Sequence, residues 1–563
     1  MAIQPVSSGK ELFSEKTTVN SIRNMMVHDY KKYFPYQKSR NCQDEAIQFI
    51  LDTFLKKDKK FAIIEAGTGV GKSAIGLTAA KYTHSVLPQE EGYESGSHFL
   101  TTQKILQDQY IQDFGPLGMA SIKSSTNYSC KSHRNSTCGE GLRLLKGVEK
   151  GSKVWNTCVF KCPYKRAKRN YLTSGEGVTN FAYFLAETMY AGKILPRNVL
   201  VIDEAHNTDI QLSKFIEVAI TEKFCKEFLG LAMPQVQNQI AAHVWIRDVY
   251  MPKVRSKFEH MESILDKYVG LQDKIKEFSD VMRKYELLDK HLSKLRRFLD
   301  VYEEDNWIYN LVPADNRKSM RIEFKPIDVA PFADDYIFRY GKKVIMMSAT
   351  ILDKGAFCQS LGIDLEQAEF ITMPSPFPLE NRPIMTFPIG NMNYREIDRS
   401  LPKLARAIKE ILKNHRGEKG IIHTHSYKIA SYIRKHVRSS RLIFHNSENR
   451  EEMLKKHMRS KKSTVLVSPS MTEGVDLRDD TSRFQIICKI PYPYLGDELV
   501  KKRMKKWSWW YPLQTAKSIV QSVGRSIRSE DDYAVTYILD SDWDPFYRRN
   551  KSLFPQGFTA CLK

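Results

Sequence analysis

Long hydrophobic runs are what the chain most plainly lacks. Nowhere in its 563 residues do roughly 18 apolar residues follow one another, the length a bilayer span requires, which excludes a helical membrane anchor within it. The opening residues, Met1-Ala-Ile-Gln-Pro-Val-Ser-Ser8, have neither the basic start nor the apolar core of a secretory leader, so the expected setting is intracellular. Low-complexity tracts and repeats are absent, and the length divides among roughly three or four globular domains. Acidic residues are in deficit, 65 against 87 Lys and Arg, for a net charge of +22. Such an excess suits a polyanionic partner, most simply nucleic acid, although generic basicity would produce the same count. Cysteine is sparse and odd in number, at nine. In a reducing compartment that argues against a disulfide framework and turns attention to any cysteines that cluster as metal ligands.

Against that background one stretch stands out. Phe61-Ala-Ile-Ile-Glu-Ala66 is apolar and strand-like, Gly67-Thr-Gly-Val-Gly71 is a glycine-rich loop, and Lys72-Ser73 leads into Ala-Ile-Gly-Leu-Thr-Ala-Ala80, a helix start. This order places the backbone N–H groups of Gly67, Gly69 and Gly71 around an anion at a helix N-terminus, in a nucleotide-binding loop that also includes Ala66, Thr68 and Val70. Lys72 supplies a point charge for the β- and γ-phosphates, and the Ser73 hydroxyl can hold Mg²⁺. Downstream, Asn198-Val-Leu-Val-Ile-Asp-Glu-Ala-His206 is an apolar strand ending in two acids. Asp203 can hold the Mg²⁺ through water, and Glu204 can orient and deprotonate an attacking water. Upstream, Arg40 and Gln43 could meet an adenine edge, though such residues are more often solvated. Thr101, Thr102 and Gln103 close another strand-like run, where open α/β sheets bind ligands.

Cys130, Cys138, Cys158 and Cys162 fall within 33 residues. Four thiolates so placed could close a tetrahedral zinc site or hold a [4Fe-4S] cube, and the lack of paired Cys-x2-Cys spacing leans toward iron–sulfur. Lys150 to Arg169 carries seven basic residues and no acid, with Trp155, Phe160 and Tyr164 interleaved. That mixture suits a single-strand groove or, more blandly, a solvated face. From 208 to 324, charges alternate with apolar residues at spacings of three and four, which predicts a helical insertion. A buried strand follows, ending in Ser348-Ala-Thr350, and then the proline-rich Pro374–Pro383 marks a boundary. Beyond it lie further strand-like runs, Met471-Thr-Glu-Gly-Val-Asp476, and Gln521-Ser-Val-Gly-Arg-Ser-Ile-Arg528. In the last, Gln521, Arg525 and Arg528 share one helix face, and the two arginines could clamp a γ-phosphate across a cleft.

In this order the motifs resemble those of superfamily 2 DNA helicases with an iron–sulfur domain, the XPD/DinG group, and look closest to bacterial or phage DinG-like proteins. The resemblance runs from about Arg40 to Asp540. It rests on Glu65–Ser73, Asp203-Glu-Ala-His206, Ser348-Ala-Thr350 and Gln521–Arg528, with Asn127-Tyr-Ser-Cys130, Cys162-Pro-Tyr164, Lys325–Pro331 and Lys489–Pro493 in support. It implies an α/β fold: two RecA-like P-loop motor domains with ATP between them, the first carrying a four-Cys iron–sulfur insertion and a helical arch. The expected parts are motor domain 1 in pieces 1–112, 173–207 and 325–375, the cluster domain 113–172, the arch 208–324, and motor domain 2 over 376–563. It further implies a [4Fe-4S] cluster on Cys130, Cys138, Cys158 and Cys162, nucleotide contacts from Arg40 and Gln43, and coupling of ATP to DNA through Glu473, Gly474 and Asp476. The activity implied is ATP- and Mg²⁺-dependent 5′→3′ movement on single-stranded DNA that unwinds duplex, forked or branched DNA, with an RNA–DNA hybrid as a further candidate substrate. Lys72, Asp203, Glu204, Gln521, Arg525 and Arg528 would be catalytic. The expected protein is a monomer in the cytoplasm of a bacterium or a phage-infected host. The chain departs from the group in its compact cysteine spacing and in Asp540-Ser-Asp542, where Asp-x-Arg is expected. No N-terminal exonuclease-like domain is expected, since the first motif begins within 40 residues of the start. Two other readings stay open: a single-strand translocase that does not unwind, and a zinc-stapled P-loop ATPase.

Overall fold

A computed structural model describes residues 28–40, 42–67, 69–236, 238–268, 275–314, 318–446, 448–469, 479–524 and 532–563. Thr68, Glu473, Gly474, Asp476, Arg525 and Arg528 lie outside the described residues.

The first lobe is built on a seven-stranded parallel sheet. Its first members are β1 (Phe61–Ala66), β2 (Glu94–Thr101), β3 (Ala120–Ser121), β4 (Glu176–Asn180) and β5 (Arg197–Asp203). After a long excursion the chain returns with β9 (Gly341–Ser348) and β10 (Ala368–Met373), giving the order β10-β1-β9-β5-β2-β4-β3. A parallel sheet covered on both faces needs nearly continuous apolar strands, and β1 and β5 are buried at every position. Alternate side chains feed two cores. Ala62, Ile64, Val199, Val201 and Met347 pack with Ile47, Ile75 and Leu77, while Ile63, Leu200, Ile202 and Met346 pack with Phe184, Leu212 and Phe338 on the other face. The register pairs Glu65 with Ser348 and Asp203 with Met347, so three strands deliver their carboxyl ends to one edge.

Two excursions leave this sheet. Between β3 and β4 run three helices, Cys138–Lys146, Lys153–Phe160 and Pro163–Thr173. The first opens on a capping box in which Thr137 and Glu140 satisfy each other's backbone N–H groups. Between β5 and β9 lie the expected long helices, Met251–Tyr268 and Ile275–Asp300. This segment also contains an antiparallel three-stranded sheet of β6 (Val218–Thr221), β7 (Trp307–Val312) and β8 (Arg321–Pro326), which corrects the purely helical expectation. Its strands are only four to six residues long, and their period-2 pattern is short beside the helical periodicity between them.

The second lobe holds β11 (Ile384–Gly390), β12 (Gly420–His423), β13 (Leu442–Phe444), β14 (Val465–Ser468), β15 (Phe484–Ile487) and β16 (Val535–Asp540) in the parallel order β11-β16-β15-β12-β14-β13. The proline-rich stretch falls between β10 and β11, where a boundary was expected. Helix Trp510–Val523 and the residues before it face the first lobe. Arg503 Nε donates to the Ile327 carbonyl at 2.9 Å, and Trp509 Nε1 donates to Gln359 Oε1 at 2.8 Å. Among the described residues no helix is long and apolar enough to cross a membrane.

Candidate nucleotide-binding site

The loop after β1 is shaped by glycine. Gly69 and Gly71 take φ of +84° and +81°, and a Cβ on them would lie 2.0 Å from Phe377 Cζ and 2.4 Å from Gln43 Nε2. No other residue type fits both the backbone and the space. Lys72 begins helix Lys72–Val86, and its Nζ donates to the carbonyls of Ala66 at 3.0 Å and Gly67 at 3.3 Å. Gln43 is buried and grips the loop, its Nε2 donating to the Val70 carbonyl at 2.9 Å. The Arg40 N–H donates to Gln43 Oε1 at 2.7 Å, and Arg40 Nη1 donates to the Gly69 carbonyl at 2.8 Å. Both residues therefore brace the loop backbone, a part that reading them as adenine contacts had missed.

At the end of β5, Asp203 Oδ1 accepts the Glu204 N–H at 2.9 Å and Oδ2 accepts the Tyr110 hydroxyl at 3.2 Å. Burial, with the neighbouring Glu204 charge, pushes the Asp203 carboxyl up to about 6. Tyr110 also hydrogen-bonds Ser73, so its hydroxyl joins the two residues suited to Mg²⁺. Nothing in the sequence around Tyr110 signalled this contact, which spans 93 positions. Glu204 sits at φ +50°, a left-handed backbone rare for a residue with a side chain and characteristic of functional turns.

His206 is the hub between the lobes. Burial holds its imidazole down to about 4, so it is neutral at pH 7. Its Nε2 accepts from Gln521 Nε2 at 2.8 Å and from Asn207 Nδ2 at 3.0 Å, which leaves Nδ1–H to donate to Ser348 Oγ at 2.7 Å. Gln521 also donates to Thr350 Oγ1 at 3.1 Å. The loop after β1, the acids after β5, the hydroxyls after β9 and a helix of the second lobe thus converge on one cleft.

A second cluster lies in the excursion after β3. Cys130, Cys138, Cys158 and Cys162 line one small pocket. Burial pushes the Cys138 thiol up to about 11, with Cys162 and Cys130 adding to the effect; burial likewise raises Cys158. Gly141 forms part of the wall, where a Cβ would stand 2.6 Å from Cys130 Sγ. Among the described residues no three His, Cys, Asp or Glu side chains lie close enough together to hold a single metal ion. Of the interleaved aromatics, Phe160 is exposed, whereas Tyr164 turns inward to hydrogen-bond the Tyr183 hydroxyl.

Comparison with known proteins agrees with this geometry. Residues 37–234 match the family model of the type III restriction enzyme res subunit, and residues 408–558 match that of the helicase C-terminal domain. The chain is 27% identical over 248 residues to the ATP-dependent DNA helicase DinG of Photobacterium profundum, a match covering 40% of this chain and 35% of that protein. Identity to the ATP-dependent DNA helicase YoaA of Escherichia coli is 21%, over 85% of this chain and 88% of YoaA. A probable ATP-dependent helicase of Methanocaldococcus jannaschii is 21% identical over 94% of this chain and 96% of its own length. A solved XPD helicase superposes with a TM-score of 0.61 at 16% identity, over 92% of this chain and 99% of the other, a likeness of fold with two RecA-like α/β domains. Together these matches support an XPD/DinG-type helicase of superfamily 2.

Proposed function

We propose that the protein is an ATP-dependent DNA helicase that moves 5′→3′ on single-stranded DNA and opens duplex, forked or branched DNA, acting as a cytoplasmic monomer. The observation that carries this reading is the reach of Gln521 from the second sheet's helix to His206 and Thr350 of the first lobe. A cleft closed from both sides in this way turns nucleotide binding and release into relative motion of two domains. Motor domain 1 comprises 1–112, 173–207 and 325–375, motor domain 2 comprises 376–563, and 113–172 and 208–324 are the cluster and arch domains.

Lys72 meets the β- and γ-phosphates, and Glu204 takes the proton of the attacking water. Gln521, with Arg525 and Arg528, completes the site from the second domain. Mg²⁺, held by Ser73 and Asp203, would neutralise charge on the phosphates. Arg40 and Gln43 hold the loop against the nucleotide, while Glu473, Gly474 and Asp476 link it to DNA. The four cysteines suit a [4Fe-4S] cluster better than one zinc ion. They line one pocket that includes Gly141, and their spacing lacks the paired Cys-x2-Cys of zinc ribbons. Such a cluster would stiffen the domain that meets the duplex.

The deciding experiment offers matched duplexes with a 5′ or a 3′ single-stranded tail, under anaerobic conditions with ATP. Opening from the 5′ tail alone is expected. Opening from the 3′ tail alone refutes the polarity, and DNA-stimulated ATPase without opening of either replaces helicase by translocase. Zinc in place of iron in the purified protein refutes the cluster.

A further inference from the structure

Helix Glu498–Lys506 of the second lobe leads within a few residues into helix Trp510–Val523, and the pair touches the first lobe at both ends. At one end Gln521 meets His206 and Thr350 beside the nucleotide cleft. At the other, Arg503 and Lys506 lie three residues apart and so on one helix face. They meet the foot of the long excursion between β5 and β9. Arg503 is buried, and its Nε donates to the Ile327 carbonyl at 2.9 Å. Its guanidinium also lies over Trp510, 5.7 Å from the ring centre, which joins the two helices. Lys506 Nζ pairs with Asp328 Oδ2 at 2.8 Å.

The surface they grip is itself tied down. Ile327 and Asp328 directly follow β8, and Asn306 directly precedes β7. The Ile327 N–H donates to the Asn306 carbonyl at 2.8 Å. Asn306 Oδ1 accepts the Asp328 N–H at 2.9 Å, and its Nδ2 donates to the Asp328 carbonyl at 3.1 Å. The start of β7 and the end of β8 are therefore knotted together, and whatever moves this knot moves the sheet at the base of the excursion. Asp328 Oδ1 accepts the Ala330 N–H at 2.9 Å, which leaves Oδ2 to the lysine.

We propose that Arg503 and Lys506 are positioning residues that carry movement of the nucleotide cleft to the arch domain through the Ile327-Asp328 turn. One piece of the second lobe touches the cleft through Gln521 and the foot of the arch through these two cations. Closing or opening the cleft then shifts the arch, and through it the duplex. The inference rests on the helicase reading and extends it to how ATP turnover becomes strand separation.

The test follows opening of a tailed duplex by the full chain, beside DNA-stimulated ATP turnover and affinity for oligo(dT). Arg503→Met should slow opening at least about tenfold while turnover stays within about twofold of wild type. The Lys506 pair is partly exposed and weaker, so Lys506→Met should slow opening only about threefold, and Lys506→Arg should keep the wild-type rate. Asp328→Asn keeps an oxygen for the Ala330 N–H and alters no cation, yet it should match Lys506→Met. The double variant Lys506→Met/Asp328→Asn should be no worse than the poorer single one. Loss in Lys506→Met alone, with weaker oligo(dT) binding, makes the lysine a DNA contact and overturns the inference. Wild-type opening in both single variants, or an equal loss of ATP turnover, also overturns it. Should Arg503→Met fail to fold, the Lys506 and Asp328 variants decide. A wild-type chain that opens no tailed duplex overturns the helicase reading itself, and this inference with it.

Discussion

Lys72 spends its donors on two carbonyls of its own loop, Ala66 and Gly67. Binding phosphate exchanges these neutral acceptors for charged ones, and charge-assisted hydrogen bonds are roughly twice as strong. Lys72→Ala should therefore cut ATP turnover by about 10²- to 10³-fold, the scale of losing one preorganised donor, as a steady-state phosphate-release assay would show. Near-normal turnover would remove the loop from the active site. At Gly141 the argument is steric. A methyl group 2.6 Å from Cys130 Sγ has to displace that sulfur, so under the proposed [4Fe-4S] reading Gly141→Ala should lose most of the iron while Lys72-dependent ATPase persists. Metal analysis showing full iron in this variant would contradict the cavity as the cluster's seat. Residues of this kind were legible in sequence when their chemistry is local, as in Ala66–Ser73 or Asp203-Glu204. Tyr110 and Lys506 were not, because their partners lie 93 and 178 positions away and nothing short-range marks them.

Among the elements, the cysteine-bearing helix Cys138–Lys146 docks on the long helix Ile275–Asp300. Arg143 Nε lies 3.1 Å from Glu286 Oε2, and Lys146 Nζ lies 3.4 Å from Glu286 Oε1. Glu286 is partly exposed, and such ion pairs contribute about 1 kcal/mol or less, so they set register more than strength. The closer fit is at Gly147, where an added Cβ would meet the buried Phe278 ring at 2.7 Å. Gly147 has an ordinary helical backbone (φ −100°), so its small size answers to packing and not to conformation. Gly147→Leu should separate the two excursions and cost duplex opening at least about tenfold while DNA-stimulated ATPase stays within about twofold, a split that gel-based unwinding and phosphate release would resolve. Equal loss of both activities would mean that the contact serves folding alone. The long helices could be read from their period, and β1, β2, β5, β9, β12, β14 and β15 from their apolar runs, whereas the other strands of the two parallel sheets carried no such signal. The three-stranded sheet could not be read either, since β6 pairs with β8 across about 100 positions and all three strands are too short to outweigh the helices around them.

For the molecule as a whole, each lobe carries histidines that burial keeps neutral, His98 and His206 in the first and His425 and His457 in the second, and these contribute to its response to acid. In the first lobe His98 Nε2–H donates to the Leu195 carbonyl at 2.9 Å while Nδ1 accepts from the Tyr171 hydroxyl, and burial beside Arg197 pushes its pKa down to about 3. In the second, His457 lies between the Thr481 carbonyl and the Thr464 hydroxyl, both at 2.9 Å, and burial holds it down to about 4. An unfolded histidine titrates near 6.5, so between that pH and the folded value the unfolded chain binds more protons. The stabilisation is complete above about 6.5 and is lost progressively as the pH falls toward 4 and then 3. By pH 5 each residue should have forfeited about 2 kcal/mol. Since such histidines sit in both lobes, both should weaken together on mild acidification. Thermal unfolding at pH 7 and pH 5 tests this through the change between the two conditions, which removes the direct cost of a substitution. The acid-induced fall in the second lobe's midpoint should shrink in His457→Gln and in the first lobe's in His98→Gln. An undiminished fall in both variants would place the acid sensitivity elsewhere.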